Sequence, residues 1–77
     1  MYKLSKLKIG EKGKVVSVNA QEDLLCRFID IGIIDGTIIK CVAVSPQGDP
    51  KAYLIRGATI ALRNRDAQLI EVGDIYV

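Results

Sequence analysis

Seventy-seven residues, 49% of them hydrophobic and 26% charged, describe one small globular domain with no room for a second core. Eleven Lys and Arg against nine Asp and Glu leave a formal charge of +2, too small and too mixed to single out a nucleic-acid ligand. No unbroken apolar run is longer than Cys41–Val44, far short of the roughly 20 residues that cross a bilayer, and the N-terminus never opens into a signal-peptide core; a cytoplasmic protein with no direct membrane insertion is expected.

Residues 1–10 read as a lead-in whose Leu4, Leu7 and Ile9 are spaced to dock on a barrel, with Ser5 as the cap of a single turn. Gly10 and Gly13 bracket a turn, and Lys14–Val18 alternates as a first strand, Val16 and Val18 on one face and Val15 and Ser17 on the other. A helix follows. Asn19 is its expected N-cap and Glu22 the return arm of a capping box, with Glu22 and Asp23 suited to the positive end of the helix dipole. Leu24, Phe28 and Ile31 recur at helical spacing as the buried stripe, flanked by Leu25 and Ile29, and Gly32 ends the helix in the left-handed conformation.

Asp35-Gly36 makes the next turn, and Thr37–Val44, apolar on both faces, reads as a central strand. Ser45–Pro50 is a hairpin loop, because neither Pro46 nor Pro50 can donate to a ladder. Ala52–Ile55 and Ala58–Leu62 are strands joined by the tight turn Arg56-Gly57. Asn64–Ala67 is one helical turn capped by Asn64, Leu69–Val72 is a last short strand, and Gly73–Val77 is a tail. This order predicts a mainly β domain over residues 1–77: an SH3-like barrel of about five strands with one α-helix inserted after the first strand. An OB-fold places its helix between the third and fourth strands, much later than here.

The composition also limits the chemistry. With no His, neither Ser-His-Asp nor Cys-His catalysis is available, and nothing pairs Lys with carboxylates in their place, so no enzyme is expected. Cys26 and Cys41 form no CxxC and no zinc-finger spacing, and free thiols are the default.

Four stretches in register resemble one family. Arg27-Phe28-Ile29-Asp30-Ile31-Gly32-Ile33-Ile34-Asp35-Gly36 is similar to the Arg-Leu-x-x-Leu-Gly-Leu-x-Pro-Gly signature of FeoA, the small cytosolic protein of bacterial ferrous iron uptake, with Asp35 in place of the usual Pro. Pro46-Gln47-Gly48-Asp49-Pro50 resembles its Pro-x-Gly-Asp-Pro loop, and Ile55-Arg56-Gly57 and Ile60–Arg63, followed by Asp66-Ala67 and Ile70–Val72, resemble its final hairpin and closing strand. The resemblance implies an accessory or regulatory protein that docks on the cytosolic, GTP-binding portion of FeoB, a membrane iron transporter, without a required cofactor.

Candidate partner-binding residues are Pro46, Gly48, Asp49 and Pro50, whose loop the two prolines stiffen, together with Ile33 and Ile34, of which one plugs the barrel and the other is exposed. The competing class is a metal-responsive domain. Asp23, Cys26 and Asp30 share one helix edge and are weak candidates for Fe2+ or Zn2+ at a shallow or dimer-interface site. Lys3, Lys6, Lys8, Lys12 and Lys14 form a basic stretch, but without an aromatic platform no nucleic-acid partner is expected.

Overall fold

Short alternating segments joined by tight turns build one antiparallel sheet. The computed structural model describes residues 2–77. Strands β1 (Tyr2–Lys3), β2 (Lys12–Val18), β3 (Ile38–Val44), β4 (Lys51–Ile55), β5 (Ala58–Leu62) and β6 (Ile70–Tyr76) lie in the order β1-β6-β2-β3-β4-β5. Helix α1 (Glu22–Ile31) links β2 to β3, and the single turn α2 (Asn64–Ala67) links β5 to β6. This is the expected SH3-like barrel with one strand more, the two-residue β1, which pairs with β6 through Tyr2 opposite Val72 and Lys3 opposite Glu71.

Two strands are longer than the pattern suggested. β2 begins at Lys12, and residues 73–76, read as a tail, continue β6 and pair along it, Lys14 opposite Gly73 and Lys12 opposite Tyr76. The reason is a bulge. Gly13, read as a turn residue, lies buried inside β2, where a Cβ would sit 2.9 Å from the Val72 side chain, so only glycine lets the two strands close here. A second irregularity between Val15 and Ser17 breaks the alternation, and both Val15 and Val18 reach the core.

The core gathers Phe28 from α1, Val15, Ile39, Cys41, Tyr53, Ile55, Ile70 and Val72 from the strands, and Leu4 and Leu7 from the lead-in, all essentially inaccessible to solvent. Each large side chain among them contributes about 1.5–3 kcal/mol by leaving water. The lead-in is a 3-10 turn over Leu4–Lys6 that rests against α2 and β6. Lys51 Nζ ties it down, donating to the carbonyls of Ser5 (2.6 Å) and Leu7 (3.1 Å). Ser5 does not cap it, and Ile9, expected to dock, is exposed.

Helix α1 starts differently and ends as expected. Gln21 is its N-cap with no side-chain bond, because Asn19 lies too far upstream; the Asn19 N–H instead donates to Leu69 O (2.8 Å) and prolongs the β2–β6 pairing. At the other end the Ile33 N–H bonds Phe28 O (2.8 Å) and the Gly32 N–H bonds Ile29 O (3.0 Å), the paired arrangement of a Schellman motif with Gly32 at φ +97°.

Arg56 and Gly57 (φ +50° and +86°) form the two-residue connection from β4 to β5. The stem of Arg56 lies over Gly32, where a Cβ would collide with Arg56 Cδ. Gly32→Ala should therefore lose about 1–2 kcal/mol through the left-handed backbone alone, read as a lowered urea midpoint. Adding Arg56→Ala removes the collision and should leave most of that loss in place; full recovery would mean the constraint is packing rather than backbone.

Cys41 and Tyr53 face each other across β3 and β4, both buried. Burial raises the Cys41 thiol above its usual 9.0, and burial raises the Tyr53 phenol above its usual 10.0. In the unfolded chain both release protons that the native state retains, so their contribution is complete below pH 9 and disappears as the pH rises. Stability should be insensitive to these groups from about pH 7 to 8.5, then fall by up to about 1.4 kcal/mol per pH unit for each ionising group. Urea midpoints measured across the alkaline range check this, and a midpoint that stays level to about pH 11 would overturn it.

Candidate functional site

The C-terminal corner of α1 separates two adjacent isoleucines. The reversal at Gly32 sends Ile33 into the core and leaves Ile34 on the surface, 43% exposed. Thr37 fixes the corner: its hydroxyl donates to Gly32 O (2.8 Å) and accepts the Ile34 N–H (3.4 Å). The Val15 N–H donates to Thr37 O (2.9 Å) and the Gly36 N–H to Val15 O (2.8 Å), so the corner is stitched to β2. Ile33 is thereby withdrawn as a partner contact, since none of it reaches solvent.

Ile34 borders a shallow groove between α1 and β2, lined also by Val16, Val18, Leu25 and Ile29. Ile29 is 50% exposed. The sequence reads it as a flank of the buried stripe; its place one residue after Phe28, about 100° round the helix, is the signal that it turns outward.

The other candidate surface is directed largely inward. Within the Ser45–Pro50 loop, the Gly48 N–H bonds Ser45 O (2.8 Å) and the Ser45 N–H bonds Pro50 O (3.1 Å). Asp49 Oδ1 accepts the Asn64 N–H (2.9 Å), and Asn64 Nδ2 donates to Gly48 O (3.0 Å). Asn64 is thus not the cap of α2, as its sequence position suggested; Arg63 occupies that position, and the loop carboxylate meets the first free N–H of the turn from a distance in sequence. Pro46 is exposed, while Gly48, Asp49 and Pro50 are half-buried. Ile34 and this loop lie beyond opposite ends of β3, a strand that spans on the order of 20 Å, so the structure does not bring the two candidates together.

Asp23, Cys26 and Asp30 are all exposed on α1. Among the described residues no group of three or more His, Cys, Asp or Glu side chains is placed to hold a metal ion. The side chains of Asp23, Cys26 and Asp30 are thus not gathered into a three-ligand cluster within one molecule. Cys41 is a core thiol. Among the described residues, no helix is long and apolar enough to cross a membrane.

Comparison with known proteins identifies the fold's relatives. The FeoA domain family model matches residues 2–73. A fusion of Fe(2+) transport protein A with the Fe(2+) transporter FeoB from Porphyromonas gingivalis is 33% identical over 70 residues, covering 91% of this chain; the chain spans 8% of that relative's length. Among solved structures, the FeoA protein of Chlorobium tepidum superposes with a TM-score of 0.85 at 34% identity, covering 91% of this chain and 67% of that one. The FeoA of Stenotrophomonas maltophilia, a prokaryotic SH3 domain protein complexed with zinc, gives 0.84 at 26% identity, covering 95% and 91%. With the family model matching from β1 into β6, the chain belongs to the FeoA domain family.

Proposed function

We propose that this chain is a cytoplasmic accessory protein of ferrous iron uptake, without enzymatic activity of its own, that acts by docking on the cytosolic GTP-binding portion of a FeoB-type transporter. The observation that carries this reading is the Porphyromonas gingivalis relative, in which a domain like this one is joined in a single polypeptide to a ferrous iron transporter. Such a fusion holds the two parts at a high effective concentration, an arrangement that suits domains working in contact with each other. The half-exposed Ile34 and Ile29 beside an apolar groove support a contact surface at the end of α1.

The metal-responsive alternative draws on the zinc complex of the Stenotrophomonas maltophilia relative. In this chain the Asp23-Cys26-Asp30 edge offers no three-ligand cluster, so zinc or iron would have to borrow ligands from a second molecule.

The test is titration of the purified domain into the cytosolic portion of the matching transporter, with and without a chelator. Saturable binding that survives the chelator is expected, and binding that appears only with added Fe2+ would shift the reading to metal. Ile34→Asp should weaken binding about tenfold or more, by placing a charge in an apolar contact, without lowering the melting temperature. Pro46→Ala should be similarly stable, and its affinity reports directly on the loop. Asp49→Ala should instead lose about 1 kcal/mol of stability because it strands the Asn64 N–H. Unchanged affinity in both Ile34→Asp and Pro46→Ala would remove both proposed contacts.

A further inference from the structure

The outer face of β2, β3 and β4 concentrates charge that the composition spreads evenly. In the antiparallel register Lys12 lies directly opposite Lys40, and Lys40 directly opposite Leu54. Side chains opposite one another in such a ladder share a face about 5 Å apart, and like charges so placed destabilise the sheet. Arg56 follows Leu54 on the same side, and Lys14, opposite Ile38, extends the patch. Lys12, Lys40 and Arg56 line one shallow depression with Ile38, Leu54 and Tyr76, and no carboxylate is part of its lining. Asp35 beyond Arg56 and Asp74 at the β6 bulge flank it.

The apolar members are unusually open for a sheet: Ile38 is 41% exposed, Leu54 37% and Tyr76 45%. They make up three of the eight large hydrophobic side chains exposed among the described residues, gathered on one face with the facing lysines. A solvated sheet surface has no need of either feature. Together they suit a ligand that neutralises the cations and covers the apolar groups.

We infer that this face binds an acidic segment of a partner protein, one that presents carboxylates and aliphatic side chains at alternate positions. The spacing selects that class. Ile38 and Lys40 along β3, and Leu54 and Arg56 beside them, alternate apolar and cationic at the pitch of a strand, which a polypeptide can match, whereas a phosphate backbone has nothing to offer Ile38 or Leu54. Nucleic acid also needs an open aromatic face for stacking, and the Tyr76 ring is occupied by Lys12 Nζ, 5.5 Å from its centre. A lipid surface would attract the lysines but calls for apolar side chains that project beyond them rather than lying between them. The inference deepens the proposed docking by naming the chemistry of the segment recognised, and rests on that reading only for the partner's identity.

The experiment uses amide resonance shifts of the labelled protein on titration with a synthetic peptide alternating Glu and Leu, with its Gln-Leu counterpart, with phosphatidylcholine–phosphatidylserine vesicles and with oligouridylate. The acidic peptide should shift Lys12, Ile38, Lys40 and Leu54, and the Gln-Leu peptide should not. Lys40→Glu should cut affinity for the acidic peptide about tenfold or more. The same substitution should leave the melting temperature unchanged or raised, because it replaces a repelling cross-strand pair with an attractive one; Lys12→Glu should also weaken peptide binding, but it gives up the Lys12–Tyr76 contact as well. Equal binding of the Gln-Leu peptide, acidic-peptide binding that ignores these substitutions, or shifts on this face from vesicles or RNA alone would overturn the inference. The transporter's cytosolic portion separates the two readings. If it binds wild type and Lys40→Glu equally, docking stands and this surface falls. If it binds neither while the acidic peptide still shifts this face, the surface stands and the transporter reading falls.

Discussion

The left-handed backbone at Gly32 is the constraint on which the rest of the structure hangs. It ends α1 with both Schellman bonds made, directs Ile33 into the core, and brings the chain back so that Thr37 and Gly36 can bond across to Val15. A helix attached to a small barrel has few contacts with which to hold its orientation, and here the orientation is set at one residue. The Arg56 stem over the same glycine joins the β4–β5 turn to that corner, so two loops distant in sequence share one steric limit.

Much of this was legible from local chemistry. Gly32, the Arg56-Gly57 connection, the Ser45–Pro50 loop and the edges of β5 each follow from residues whose backbone preferences are strong and need no distant partner. The division of labour between Ile33 and Ile34 was visible as a pair, though only the geometry assigns which is buried. What escaped is non-local. Gly13 reads as a turn until Val72 is placed against it, and residues 73–76 read as a tail until β2 offers them a ladder. Asn19 and Asn64 both carry the composition of helix caps, yet each serves a partner from another part of the chain. The facing of Lys12 and Lys40 is of the same kind, since register between strands cannot be read from either strand alone.

The candidate surfaces differ in how fully their groups are already used. The Pro46–Pro50 loop directs its best polar atoms at α2, so Asp49 has a structural occupation before any partner arrives. The Ile34 side chain is exposed, and on the face around Lys40 the one internal contact described is Lys12 Nζ over the Tyr76 ring. Retained repulsion and exposed aliphatic groups lower the stability of a free domain, and small domains have little to spare. Such features make physical sense in a protein whose working state is a complex.

The pairing of β2 with β6 has a consequence for how the molecule comes into being. Lys12 meets Tyr76, so the second strand of the domain waits for its sixth. Contacts this remote raise the contact order, and they form only after the intervening chain has been ordered or at least gathered in. On a ribosome the helix and the β3–β4–β5 meander emerge with their neighbours already present and can form as they appear. Closure of the barrel, and with it burial of Val15 and Val72, waits until β6 has been made.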